Sequence, residues 1–91
     1  MKKVLCDLSA LAGREQIHEY LKIKLDFPDY YGKNLDALYD CLTDISEDVC
    51  VGLYLPSADA ETADYCRRIR RVFTDAEQEN RHLAVFCFPR A

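Results

Sequence analysis

Ninety-one residues, about half of them apolar, suffice for one hydrophobic core and one domain, with a thin margin of stability. The formal charge of −4 argues against nucleic acid as a direct partner, and no stretch approaches the roughly 20 apolar residues that a membrane span requires. Cys6, Cys41, Cys50, Cys66 and Cys87 are odd in number, widely spaced and without a Cys-x-x-Cys pair, which speaks against a disulfide or zinc framework and suits buried, reduced thiols.

In chain order, Met1-Lys2-Lys3 leads into an apolar run that Asp7 interrupts before an export signal could form, so a cytoplasmic protein is expected. The first strand is predicted over Lys3–Asp7. A helix follows from Arg14 to Leu25, where Ile17, Tyr20, Leu21, Lys24 and Leu25 keep helical spacing. His18 reads as an exposed residue of that helix. Phe27-Pro28 ends it, because the residue before a proline is pushed out of the helical region.

The second helix is predicted to begin after Gly32-Lys33-Asn34. Asn34 is a good N-cap, and Asp36 falls in the first turn, where the helix dipole favours a negative charge. Leu35, Leu38, Leu42 and Ile45 form its apolar stripe. A strand follows over Val49–Leu55. The third helix comes after Pro56-Ser57, with Ser57 as its cap and Tyr65, Ile69, Val72, Phe73 and Ala76 as its buried face, running to about Asn80. Arg67, Arg68, Arg70 and Arg71 read as its solvated side. His82 reads as a strand-edge residue beside the last strand, Leu83–Phe88.

The strands are nearly continuous apolar runs, as expected when most of each strand, or both its faces, are buried in a parallel sheet. Strand, helices, strand, helix, strand is the alternation that builds such a sheet through right-handed crossovers. One α/β domain over residues 1–91 is therefore expected.

Charge is concentrated in the middle of the chain. Residues 26–48 hold seven carboxylates (Asp26, Asp29, Asp36, Asp40, Asp44, Glu47 and Asp48) against Lys33, which leaves −6 there and +2 on the remainder. On a helical wheel over residues 35–47, Asp36, Tyr39, Asp40, Thr43, Asp44 and Glu47 gather opposite the leucines. Aspartates at i, i+4 and i+8 repel one another, so folding has no use for the arrangement. The plain alternative is a solvated acidic face, but Tyr30 and Tyr31 stand just before it. One is expected in the core and the other at the surface, as an amphipathic anchor of the kind enriched in interfaces.

Paired carboxylates could also perform catalysis, or Asp36, Asp40 and Asp44 could bind magnesium. All three project from one helix, however, with no phosphate-binding glycine loop and no nearby histidine. No enzyme activity, cofactor or metal is expected.

The run Pro28-Asp29-Tyr30-Tyr31-Gly32-Lys33-Asn34-Leu35-Asp36-Ala37-Leu38-Tyr39-Asp40-Cys41-Leu42-Thr43 resembles the signature segment of the barstar family, intracellular inhibitors of barnase-type ribonucleases. Ile17-His18-Glu19 with Leu21, the helix end before Phe27-Pro28, and Val72-Phe73-Thr74-Asp75-Ala76 extend the likeness to nearly the whole chain. The resemblance implies a three-stranded parallel sheet in sequential order, packed with helices in two layers. It also implies a monomer that blocks a basic, barnase-like ribonuclease by imitating RNA phosphate, without membrane or nucleic-acid contact.

By position, the resemblance makes Tyr30 the loop tyrosine that packs on the enzyme and Asp40 the aspartate that enters its phosphate pocket. Gly32 and Asn34 would shape the loop. Asp36, Tyr39, Thr43 and Asp75 would complete the contact surface, and Asp44 joins these partner-binding candidates from the acidic helix face. Tyr39 stands where the family has tryptophan, Asp75 where it has glutamate, and Lys33 where it has an acidic residue. Those departures keep open a second reading, a module or antitoxin of the same fold for a different basic protein.

Overall fold

The computed structural model describes residues 2–9, 11, 13–54 and 60–88. Its elements follow the order β1 (Lys2–Asp7), α1 (Gly13–Lys24), α2 (Leu35–Thr43), β2 (Val49–Tyr54), α3 (Ala60–Glu79) and β3 (Leu83–Phe88). Both strand pairs are parallel, and the sheet order is β1-β2-β3. Val4, Val51 and Val85 lie in register across it, as do Cys6, Leu53 and Cys87. The predicted α/β sheet is present; Leu55 and the expected cap Ser57 lie outside the described residues.

The strands are fully covered on one face only, which corrects the expectation that both faces, or most of each strand, are buried. Val4 and Cys6 of β1, Val49, Val51 and Leu53 of β2, and Leu83 of β3 are buried. On the opposite face Leu5, Phe86 and Phe88 are 59%, 56% and 48% exposed. Strand order explains the difference. Right-handed crossovers taken in one direction across a sheet place every connecting helix on the same side. Gly52 sits in the middle of the bare face, where a Cβ would meet the Phe88 ring at 3.0 Å and Leu5 at 3.3 Å. Those two side chains roof the naked backbone, and a larger residue would displace them.

Between sheet and helices lies the core, with Leu8, Ile17, Leu21, Leu38, Leu42, Ile69 and Phe73 fully enclosed. The cysteines enter it unequally. Cys6 and Cys66 are buried, while Cys41, Cys50 and Cys87 are half-buried, so the expectation of buried thiols holds for two. Desolvation pushes the Cys6 thiol up to about 11, which keeps it protonated and inert.

Candidate functional site

The site begins where α1 stops. Asp26 adopts a left-handed φ of 55°. The Phe27 N–H reaches back to the Lys22 carbonyl at 2.9 Å and the Asp26 N–H to that of Ile23 at 3.4 Å, so the helix ends in a Schellman motif. Phe27 drops into the core, and Pro28 opens a turn closed by the Tyr31 N–H on the Pro28 carbonyl at 3.0 Å. That turn decides the fate of the tyrosine pair. Tyr30 at its tip is 87% exposed, whereas Tyr31 is 5% exposed and packs on Phe27 with ring centroids 4.9 Å apart.

Tyr31 is held from below by His18. The Nδ1 of His18 lies 2.6 Å from Tyr31 Oη and its Nε2 2.6 Å from Tyr65 Oη, and the imidazole is completely buried. The expectation of an exposed His18 is therefore overturned. Two hydroxyls from distant parts of the chain satisfy its polar atoms, which allows a histidine between Ile17 and Leu21 to face inward. His82 stands at the edge of the last strand as expected, in the turn directly before β3, with Nδ1 2.9 Å from Asp48 Oδ1.

Residues 32–34 aim α2. A Cβ on Gly32 would come within 3.2 Å of Ala37 Cβ, so a larger residue would press the loop away from the helix by a few tenths of an ångström. Lys33 adopts a left-handed φ of 54° and places its Nζ 2.7 Å from Glu19 Oε2. Its charge is thus drawn toward α1. Asn34 caps the helix as the sequence predicts, accepting the Ala37 N–H at 2.7 Å.

At the other end α2 stops at Thr43, so Ile45 and Glu47, which the predicted helical wheel included, lie beyond the helix. Asn80 supplies the reason. Its Nδ2 donates to the carbonyls of Leu42 and Ile45, both at 2.9 Å, while its Oδ1 accepts the His82 N–H at 2.9 Å. A buried side chain at the end of α3 thus satisfies carbonyls left over where α2 ends.

Asp36, Asp40 and Asp44 project outward along α2, and among the described residues none of them joins a salt bridge. Tyr39 and Thr43 are half-buried, and Thr43 Oγ1 donates to the carbonyls of Tyr39 (3.0 Å) and Asp40 (3.1 Å). A groove of about 410 Å³ runs between the loop and the helix, lined in part by Tyr30, Asp40, Thr43 and Asp44. It also takes in Asp26 and Cys41, which the sequence reading did not single out. Burial, then the Asp40 and Asp44 carboxylates, push the Cys41 thiol up and disfavour its reactive thiolate.

Not all the predicted residues converge on this groove. Asn34 and Asp36 line a separate hollow of about 240 Å³ with Arg14, Leu35, Tyr65 and Arg68. Gly32, Tyr39 and Asp75 line neither hollow, and no salt bridge joins the described residues Arg71 and Asp75. Among the described residues, no group of three or more His, Cys, Asp or Glu side chains could hold a metal ion, and no helix is long and apolar enough to cross a membrane.

Fold and site together define a small α/β domain with an acidic, tyrosine-tipped surface along one helix and its preceding loop. Over residues 1–89 the chain matches the family model described as Barstar (barnase inhibitor), and it belongs to that family. A Bacillus subtilis (strain 168) protein named "Putative ribonuclease inhibitor YrdF" is 58% identical over 43 residues, which are 47% of this chain and 47% of that protein. The match therefore spans about half the length of the relative.

Proposed function

We propose that the protein is a monomeric inhibitor of a barnase-type ribonuclease, acting by occupation of the enzyme's cationic cleft and not by catalysis. The observation that supports this most is the row of carboxylates on α2 that join no salt bridge among the described residues, beside an exposed tyrosine, in a chain of the barstar family. Asp36, Asp40 and Asp44 follow one another about 6 Å apart along the helix axis. A carboxylate offers an arginine two coplanar oxygens, as a phosphate does, so the row imitates an RNA backbone. Asp40 is the central element, because it shares the groove with Tyr30, whose ring packs against the enzyme. Exposed like charges add speed by steering a basic partner toward the helix.

The test is inhibition of a barnase-type ribonuclease by the wild type and by Asp40→Ala. The wild type is expected to inhibit with an association rate that falls steeply as salt rises. Asp40→Ala should bind weaker by about 2–5 kcal/mol, the range for losing one partner of a buried charge pair, for which barnase–barstar is itself the type case. No inhibition by the wild type would remove the ribonuclease; equal inhibition by the variant would remove this site.

One observation favours a partner other than barnase itself. Arg14 and Arg68 stand beside Asp36 around the Tyr65 ring, and Tyr39 replaces the family's tryptophan. This margin of the surface would suit an enzyme whose rim carries a carboxylate there.

A further inference from the structure

Arg14 occupies a place that its own helix disfavours. It lies in the first turn of α1, at the end where the helix dipole favours acids and opposes cations. Among the described residues it joins no salt bridge. Its guanidinium lies instead over the Tyr65 ring, 5.1 Å from the centroid. The Tyr65 hydroxyl is in turn held by the buried His18 Nε2 at 2.6 Å, so the ring is a fixed shelf.

Shelf and guanidinium both line the hollow of about 240 Å³ that Asn34, Leu35, Asp36 and Arg68 complete. Arg68 already has a carboxylate, Asp64, at 3.5 Å. Asp36 and Arg14 line the same hollow without bridging one another. One cation and one anion therefore stay open in one small space. Asp36 lies about 6 Å from Asp40 along the axis of α2. A protein that covers both aspartates reaches this hollow, because an ordinary interface buries about 800 Å² on each partner.

We propose that Arg14, poised over Tyr65, is a subsite for a carboxylate of the partner ribonuclease and selects enzymes that place an acidic side chain beside the cation that meets Asp36. This deepens the inhibitor reading given above and rests on it. Contact with the ring restrains the guanidinium and leaves its planar fork of N–H donors to take both oxygens of a carboxylate. The binding surface then alternates in sign: carboxylates along α2, and a cation at their margin. An enzyme with cations alone on the facing rim meets Arg14 as a like charge, so the residue that accepts one partner rejects another. The plain alternative is that the cation–π contact with Tyr65 is all that Arg14 does. Binding measurements separate the two.

The test measures inhibition of a barnase-type ribonuclease by the wild type, Arg14→Ala and Arg14→Lys. It is repeated with the acidic residues on the enzyme's rim replaced by alanine one at a time. Arg14→Ala makes the inhibitor more acidic, so steering alone would quicken association and tighten binding to a basic enzyme. The subsite requires the opposite sign: a loss of about tenfold in affinity, mostly through faster dissociation. That loss should vanish against the enzyme variant that lacks the matching carboxylate. Arg14→Lys keeps the charge without the planar fork and should fall between the other two. It carries the comparison if Arg14→Ala does not fold.

Unchanged or tighter inhibition by Arg14→Ala overturns the subsite and leaves the inhibitor reading intact, as does a loss that no enzyme carboxylate accounts for. If the wild type inhibits no ribonuclease, the inhibitor reading fails separately and the subsite is judged on the free protein. The probe is then a blocked Arg-Glu-Arg-Glu peptide, titrated while the Tyr65 ring signals are followed by NMR. Those signals should shift in the wild type and hold still in Arg14→Ala. No shift in the wild type, or the same shift in both proteins, overturns the proposal.

Discussion

Helices α2 and α3 both carry a charged outer face, and they treat that charge in opposite ways. On α3, Asp64 takes Arg67 at 3.1 Å and Arg68 at 3.5 Å, and Glu77 accepts the Val85 N–H of β3 at 2.7 Å. On α2 no described salt bridge involves Asp36, Asp40 or Asp44. Asp44 is the C-cap, where a carboxylate meets the negative end of the helix dipole. Part of the charge on α3 is engaged within the protein, through Asp64 and Glu77, while the carboxylates of α2 are left available to something else. That contrast separates a binding face from an ordinary solvated one better than a count of acidic residues does.

The two helices are also unequal in dependence. Asn80, at the end of α3, holds the end of α2 through two donated hydrogen bonds and keeps its own oxygen engaged by His82. Breaking that link should have the largest effect on the contrast. Asn80→Ala leaves buried carbonyls without donors, at a cost of about 2–3 kcal/mol of folding stability in urea denaturation. Asn80→Asp should be worse, because it replaces the donor with a negative charge facing two carbonyl oxygens. Retained stability in both variants would mean that α2 is positioned by its leucines alone.

Much of this framework is legible in the sequence, and the exceptions share a cause. Apolar runs and helical spacing reveal six elements because those signals are local. Asn34 is readable as a cap for the same reason. A continuous run such as Leu83–Phe88 does not say how many faces are covered, since that depends on the direction in which each crossover travels. His18 looks exposed when read locally, because its partners lie 13 and 47 residues away. Asp26 was visible only as one more acid, since its place in the groove depends on the left-handed turn that ends α1. The helical wheel groups Asp36 with Asp40 and Asp44, yet the loop and α3 divide that row between two hollows.

A smaller perturbation sharpens the comparison from the α2 side. Asp44→Asn removes the charge that faces the dipole and repels Asp40, while keeping the side-chain shape. Stability should rise by a few tenths of a kcal/mol, about the size of one i,i+4 or helix-end charge effect. Binding to a basic ribonuclease should weaken at the same time, first in the association rate. Opposite signs in the two measurements would identify Asp44 as retained at a cost to folding.

The matching change on α3 should do the least. Asp64→Ala frees Arg67 and Arg68, but all three side chains are more than half exposed, so solvent already screens the pairs. Exposed pairs of this kind contribute about 0–1 kcal/mol, and the thermal midpoint should move little. Binding offers the finer discrimination, because Arg68 lines the hollow beside Asp36. Once released from Asp64, its guanidinium can turn toward Asp36 and compensate a charge that α2 now leaves open. The association rate should then fall slightly although no interface residue has been changed. An unchanged rate would mean that the two charge systems are independent, and that the availability of α2 comes from its own geometry and not from the engagement of its neighbour.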